Sequence, residues 1–306
     1  MKILLIGGTG YIGSRIFFDL KERHLVDSID LEWFGNKINK QNIVIDFNDL
    51  SENDIEQYDV IILLAGHSSV GMCIDNMLPT LKNNVVNFCE LLHKISNVSN
   101  KKSIKFVYAG SSSVYGSCHN KISQELDEYF SPHNFYDLSK QEIDYYAKIS
   151  KNVEFYGLRF GTVNGWSPNL RDDIMLNAMF KSAIQTGEMK CFNKANYRPI
   201  LDIADLSGAI QAIIEQGSFE KRGIYNLVSF NETIECIATN AAEIMQCKLI
   251  IDSNGAPTYS FSASNEKFVK AFNFKFTGTC NSILNSLKNV QGEYMFTNRN
   301  IKKQYG

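Results

Sequence analysis

A tyrosine and a lysine stand four positions apart in Phe135-Tyr136-Asp137-Leu138-Ser139-Lys140, at the head of a stretch that reads as a helix from Tyr136 to Ser150. That spacing places both side chains on one helical face. A phenol titrates near pH ~10 and is a poor base at neutrality, whereas a neighbouring ammonium favours the phenolate. The pair could therefore move a hydroxyl proton, although Tyr-x-x-x-Lys also describes many solvated helix faces. A second group lies upstream in Gly110-Ser111-Ser112-Ser113-Val114-Tyr115-Gly116, directly after the apolar run Ile104 to Ala109. A serine hydroxyl there could hold the same substrate oxygen whose proton Tyr136 handles, provided the fold brings the two segments together. The run is not the Gly-x-Ser-x-Gly elbow of a hydrolase, because its glycines are wrongly spaced. Cys118-His119 sits in a loop without the partners of a nucleophilic dyad.

The elements that must position these groups begin at the N-terminus. Lys2 to Ile6 reads as an apolar strand running into Gly7-Gly8-Thr9-Gly10-Tyr11-Ile12-Gly13, followed by an amphipathic helix from Ser14 to Glu22. Glycines at 7, 10 and 13 permit a tight turn, close approach to a pyrophosphate and tight packing of helix on strand. A second strand, Leu25 to Leu31, carries Asp30 near its end, at the distance where a carboxylate takes the adenosine ribose hydroxyls. No arginine follows closely, which favours NAD over NADP. Ile43 to Asp46 and Asp59 to Gly66 read as third and fourth strands buried on both faces. Asp46 is placed either at the adenine amine or in a turn. His67 follows the fourth strand, where it either touches substrate or opens a helix. Asp75 to Ser96 reads as one long helix containing Asn83 and Asn84, and Ile104 to Ala109 as the fifth strand. Strands alternating with helices predict an α/β Rossmann architecture, a doubly wound parallel sheet.

Bulk properties narrow the partners. The chain has 306 residues, enough for one large or two moderate domains, and a formal charge of -2 with a pI near 6.2. No basic field advertises nucleic acid or an anionic membrane. Seven scattered cysteines without Cys-x-x-Cys argue for free thiols in a reducing compartment and against a metal site. The apolar run at Ile3 to Ile6 is too short for a signal-peptide core, and no membrane-length run follows. A soluble cytoplasmic protein with a small-molecule partner is expected. The tail after Val290 is loosely specified.

Taken together, the glycine turn, Asp30, Asp46, Ala65-Gly66, the serine run before Val114-Tyr115-Gly116 and Tyr136-x-x-x-Lys140 resemble the extended short-chain dehydrogenase/reductase family. Leu158 to Gly165 is similar to that family's sixth-strand signature, and Arg198 to Asp205 to the later segment where an arginine grips a nucleotide diphosphate. The resemblance implies a Rossmann domain over residues 1–163, a returning segment near 198–228, and a smaller α/β substrate-binding domain over most of 164–306. It implies NAD held by Gly7, Gly10, Tyr11, Ile12, Gly13, Asp30, Asp46, Phe47, Leu64, Ala65, Gly66, Asn84, Tyr136 and Lys140. It further implies Tyr136 as acid/base, Lys140 tuning it and holding the nicotinamide ribose, and Ser111 ordering the reacting hydroxyl. A nucleotide-linked sugar would lie against Ser112, Ser113, Thr162, Asn177 and Arg198, in a homodimer resembling the family's.

Ser112 and Ser113 stand where the family's 4,6-dehydratases carry Asp-Glu, the acid and base that water elimination requires. Dehydration is thereby disfavoured, and the triple serine most resembles the 4-epimerases. The alternatives are a nucleotide-sugar dehydrogenase or 4-keto-sugar reductase and, from another class, an NAD-bound regulatory protein. A helix from Ile174 to Thr186 is expected in the cap. Further on, a helix is expected from Ala204 to Glu215, a strand from Ile224 to Val228, a helix from Asn231 to Met245 and a strand from Lys248 to Asp252. The arginine that usually precedes a segment like Phe261 to Lys267 is missing; Tyr259 stands near that place. Arg171 either contacts substrate or bridges an acidic neighbour, and the structural role is the one favoured.

Overall fold

The computed structural model describes residues 1–36, 40–118, 122–125, 132–255 and 258–288. His119 and the tail after Val290 lie outside the described residues. Strand β1 (Lys2–Ile6) is apolar and buried, and it passes through the glycine turn into α1 (Tyr11–Leu20). The helix thus starts three residues before the expected Ser14, because Gly10 in extended conformation caps it. Strand β2 (Leu25–Ile29) follows, then α2 (Glu52–Glu56), opened by a reciprocal capping box between Ser51 and Asp54. Strand β3 (Val60–Leu63) is buried along its whole length.

The expected strand at 43–46 does not form. Ile43 makes a single bridge to Ile29, and Ile43 and Val44 are exposed, while Ile45 and Phe47 pack against the core. The run is apolar enough for a strand, but Asp46 turns the chain by accepting from the Asn48 amide at 3.0 Å and capping a short 3-10 turn at Phe47–Asp49.

The single helix expected over 75–96 is likewise broken. It appears as α3 (Val70–Asp75), α4 (Met77–Leu81), a π-helical turn at Lys82–Val86, and α5 (Asn87–Ser99). Asn76 leaves helical geometry between the first two pieces, and Pro79 fits only because it stands in the first turn of α4, where its missing N–H is not needed. Strand β4 (Lys105–Ser111) runs two residues beyond the expected Ala109, which carries Ser111 to its end. Beyond β5 (Ile122–Ser123), α6 (Phe135–Ile149) begins at Asn134, whose side chain accepts from the Asp137 amide at 3.0 Å. Next come β6 (Glu154–Phe160), β7 (Thr162–Asn164), α7 (Met175–Thr186), β8 (Glu188–Phe192), β9 (Tyr197–Asp202) and α8 (Ile203–Gln216). The described chain closes with β10 (Gly223–Leu227), β11 (Phe230–Thr233), α9 (Ile234–Met245), β12 (Lys248–Asp252), β13 (Ser262–Ala263), α10 (Glu266–Phe272) and α11 (Cys280–Lys288). The helix expected from Asn231 starts at Ile234, since 230–233 extends along β9 instead.

Six strands form one parallel sheet in the order β10-β6-β4-β3-β1-β2, with helices on both faces, so the α/β Rossmann reading holds. The chain returns to this sheet through α8, which packs on α1, and β10, which pairs with β6. Arg198 lies instead on β9, in a three-stranded sheet ordered β11-β9-β7. Strands β8 and β12 pair beside α7, α9 and α11, whose inward residues Leu176, Phe180, Ile237, Ala241, Ile283 and Leu284 continue the core over one face of the main sheet.

A buried polar cluster fixes α6 on the sheet. Asp144 of α6 accepts from Tyr108 Oη of β4 at 3.0 Å and pairs with Arg159 of β6 at 2.7 Å, and Arg159 also donates to Tyr115 Oη at 2.8 Å. Both charges are almost fully enclosed. Removing one partner of such a pair costs about 3–5 kcal/mol because the other charge is left buried and unpaired. The helix bearing Tyr136 and Lys140 is therefore held in one register against the strand bearing Ser111.

Candidate active site

A cleft opens at the carboxyl ends of β1, β2 and β3, lined by Gly7, Gly10, Tyr11, Ile12, Gly13, Asp30, Asp46, Phe47, Leu64, Ala65 and Gly66. These are the predicted cofactor residues of this region save one. The glycines serve three different needs. Gly7 has φ +91°, and a Cβ there would lie 2.5 Å from the Ala65 nitrogen; at Gly13 it would lie 1.9 Å from the Gly7 carbonyl oxygen. At Gly10 nothing stands nearer than 3.5 Å, so that backbone faces the open cleft at the start of α1. This is a cradle for a pyrophosphate at a helix N-terminus. Asp30 accepts from the Thr9 amide at 3.1 Å and the Glu32 amide at 2.7 Å, which fixes its carboxylate at the cleft wall. Trp33 and Phe34 also line the cleft, and sequence reasoning overlooked them.

Asn84 is the exception. Its Oδ1 accepts from the His67 amide at 2.8 Å, and its Nδ2 donates to the His67 carbonyl at 3.1 Å and to Ser139 Oγ at 3.1 Å. Its amide ties the loop after β3 to α6, and it is not among the residues lining the cleft. The neighbouring Asn83 lines the cleft, with a buried Oδ1 that has no hydrogen-bond partner among the described residues. His67 is enclosed, its Nδ1 2.8 Å from Thr80 Oγ1, and burial lowers its basicity.

A second cavity adjoins this cleft, sharing Tyr11, Ile12, Leu64, Ala65, Gly66, Ser68 and Arg171 with it. Ser111, Tyr136 and Lys140 line it together, so the separate segments do converge. Burial pushes the Tyr136 phenol up, opposed by the neighbouring Ser111 hydroxyl and by the Arg171 charge. Lys140 Nζ lies 5.9 Å from the centre of the Tyr136 ring and donates to the Ala109 carbonyl at 2.7 Å. Its own burial brings it down to about 8, against the pull of Asp144. In the protein alone, burial is the larger influence on the phenol.

The predicted substrate residues divide. Ser113, Thr162 and Arg198 line the cavity. The Arg198 guanidinium makes no hydrogen bond or ion pair among the described residues, and burial lowers its basicity, with the nearby Tyr259 acting in the other direction. Ser112 reaches the cavity wall, but its hydroxyl donates to the Phe160 carbonyl at 2.8 Å, tying the serine turn to β6. Asn177 is fully enclosed: Oδ1 accepts from the Gly165 amide at 2.9 Å, and Nδ2 donates to the Arg171 carbonyl at 2.8 Å and to Tyr11 Oη at 3.2 Å. It shapes the turn after β7 and is not among the residues lining the cavity. Arg171, read as structural, pairs through two nitrogens with Asp173 and donates to the Ser68 carbonyl at 3.3 Å, while lining both spaces. Tyr259 and His133 complete the wall.

A parallel doubly wound sheet, a glycine cradle at its first crossover and a Ser-Tyr-Lys set beside the cradle define a dinucleotide-dependent enzyme. The chain belongs to the NAD dependent epimerase/dehydratase family, whose model matches residues 3–227. Its cofactor is accordingly NAD, and the cradle, Asp30 and the shared wall of the two cavities fit that group. The chain is 28% identical over 240 residues to Protein CapI of Staphylococcus aureus, covering 71% of this chain and 70% of that one. It is 29% identical over 241 residues to the ADP-L-glycero-D-manno-heptose-6-epimerase of Brachyspira hyodysenteriae, covering 73% and 74%. In fold it matches the UDP-glucuronic acid 4-epimerase from Bacillus cereus, solved with UDP-glucuronic acid and NAD, at a TM-score of 0.79 and 20% identity, over 94% of this chain and 97% of that one. No described helix is long and apolar enough to cross a membrane.

Proposed function

We propose that the chain is a nucleotide-sugar epimerase acting at C4. The observation that carries this is the convergence of Ser111, Tyr136 and Lys140 on a cavity that opens into the dinucleotide cleft and has on its wall the Arg198 guanidinium, which is unpaired among the described residues. NAD, when bound, supplies the acceptor and donor of a hydride. The protein's part is proton transfer and orientation. Tyr136 exchanges the proton of the sugar hydroxyl, and Ser111, which lines the same cavity, puts an oxygen within reach of the same proton. Lys140, anchored on Ala109, holds a positive charge beside both below about pH 8. Arg198 is suited to a diphosphate, since a guanidinium matches phosphate geometry. No carboxylate lines this cavity among the described residues, which supports epimerisation over water elimination.

Incubation with UDP-, GDP-, CDP- and dTDP-sugars tests the reading, and absence of C4 inversion for every sugar would refute it. Retention separates the rival reductase: an epimerase keeps its dinucleotide through dialysis, whereas a reductase exchanges it. The dimer reading rests on Met77, Leu78 and Leu81 of α4 and Tyr145, Tyr146 and Ile149 of α6, exposed apolar residues on two helices that pack together. A monomer in sedimentation at micromolar concentration would remove it.

A further inference from the structure

Asp137 follows the acid/base tyrosine, is fully enclosed and does not line the cavity, yet it binds two hydroxyls that do. Ser113 Oγ donates to its Oδ1 at 2.6 Å and Tyr259 Oη to its Oδ2 at 2.5 Å. Oδ2 also accepts from Asn134 Nδ2 at 2.8 Å and the His133 amide at 3.4 Å. A carboxylate has acceptors only, and each hydroxyl has a single hydrogen. Ser113 and Tyr259 therefore spend their hydrogens on Asp137. The bond of 2.8 Å between Ser111 Oγ and Ser113 Oγ then has one possible direction: Ser111 donates to Ser113. Ser113 and Tyr259 turn their hydrogens away from the cavity and leave it only acceptor capacity, although each oxygen already accepts once, Ser113 from Ser111 and Tyr259 from Asn134 Nδ2, while the Ser111 oxygen takes up the Ser113 amide at 3.2 Å.

We propose that Asp137 sets this polarity, so that the chain selects a neutral hexose over the corresponding hexuronic acid; this rests on the nucleotide-sugar reading above. A sugar hydroxyl or amide N–H can donate to such a wall. A sugar carboxylate brings acceptors against acceptors, and a site whose polar groups are left facing unmatched partners discriminates strongly. Arg171 does not offset this, because its guanidinium is already paired in two places with Asp173. Asp137 is a positioning residue: it acts on substrate only through Ser113 and Tyr259.

The substitution Asp137→Asn changes one direction selectively. The amide oxygen takes the place of Oδ2, where three donors converge, and leaves its NH2 facing Ser113. Ser113 then accepts, and its hydrogen is released toward Ser111 or the cavity. The test compares kcat/KM for the hexose and hexuronate of whichever nucleotide the sugar panel identifies, UDP-glucose and UDP-glucuronic acid in a uridine enzyme. The wild type is expected to favour the hexose by about a hundredfold. In D137N that ratio falls about tenfold, with NAD still bound. Should D137N fail to fold, S113A removes one acceptor and is expected to lower turnover of the hexose alone. A purely structural role would depress both sugars together and leave the ratio unchanged, which overturns the inference, as does a wild type that is indifferent or prefers the uronate. A wild type inactive on every sugar refutes the epimerase reading and this inference with it; an active but undiscriminating wild type refutes the inference alone.

Discussion

Replacing Arg198 by methionine separates binding from folding at a single position. Most buried guanidinium groups are paired, so their removal harms the fold. Arg198 is partly buried, and its guanidinium has no hydrogen bond or ion pair among the described residues and is held below its usual basicity by its surroundings. The protein alone therefore gains nothing specific from the charge, and the variant is expected to melt at the same temperature or slightly higher. A diphosphate would instead lose one charge-assisted contact, worth about 1.5–3 kcal/mol. At ~1.4 kcal/mol per decade, that is a loss of roughly tenfold to somewhat over a hundredfold in affinity. Calorimetric titration with the nucleoside diphosphate measures the first quantity, and a thermal scan of the dialysed protein measures the second. Unchanged diphosphate affinity would show that Arg198 does not hold the substrate's charge. A sharply lowered melting temperature would show that the guanidinium has a structural task.

Three further outcomes follow from the geometry. Tyr136→Phe is expected to keep its bound dinucleotide and lose about a hundred- to ten-thousand-fold in turnover, and near-normal activity would remove the phenol from the reaction. Because burial brings Lys140 down to about 8, its charge is present below that pH and lost above it, so kcat/KM should decline as pH rises through about 8; a profile level to pH ~9.5 would argue against a charged lysine in the working enzyme. Gly13→Ala drives a Cβ against the Gly7 carbonyl, where backbone cannot yield, and is expected to purify without NAD. A full complement of cofactor in that variant would contradict the cradle.

The legible parts of this chain were those where chemistry is local. Gly7, Gly10 and Gly13 are recognisable because only glycine fits a backbone approach of this kind, and the apolar runs at 2–6, 59–66 and 104–109 because strands buried on both faces have no room for polar residues. The strand expected at 43–46 failed for the opposite reason: its three apolar residues look alike in sequence, but two of them, Ile43 and Val44, face solvent beyond the sheet edge. Asn84, Asn177 and Ser112 make backbone hydrogen bonds that the sequence did not reveal, for one physical reason. A short polar side chain serves a ligand or a backbone group equally well, and only the positions of carbonyls and amides distant in sequence decide which. Asp137 was overlooked for a related reason. Its hydrogen-bond partner Tyr259 is remote along the chain, and nothing in the Tyr-x-x-x-Lys spacing marks the residue between as an acceptor for it.

The π-helical turn at Lys82–Val86 has a wider consequence for reading relatives of this chain. A turn closed by an i→i+5 bond holds one residue more than its α-helical equivalent, and each residue advances about 100° around the axis. Of two adjacent asparagines, the first faces the cleft and the second faces the loop after β3. Any relative that lacks the extra residue presents its side chains there with a different phase, so counting along an ungapped alignment through this segment exchanges the residue that faces the cleft with the one that faces the loop.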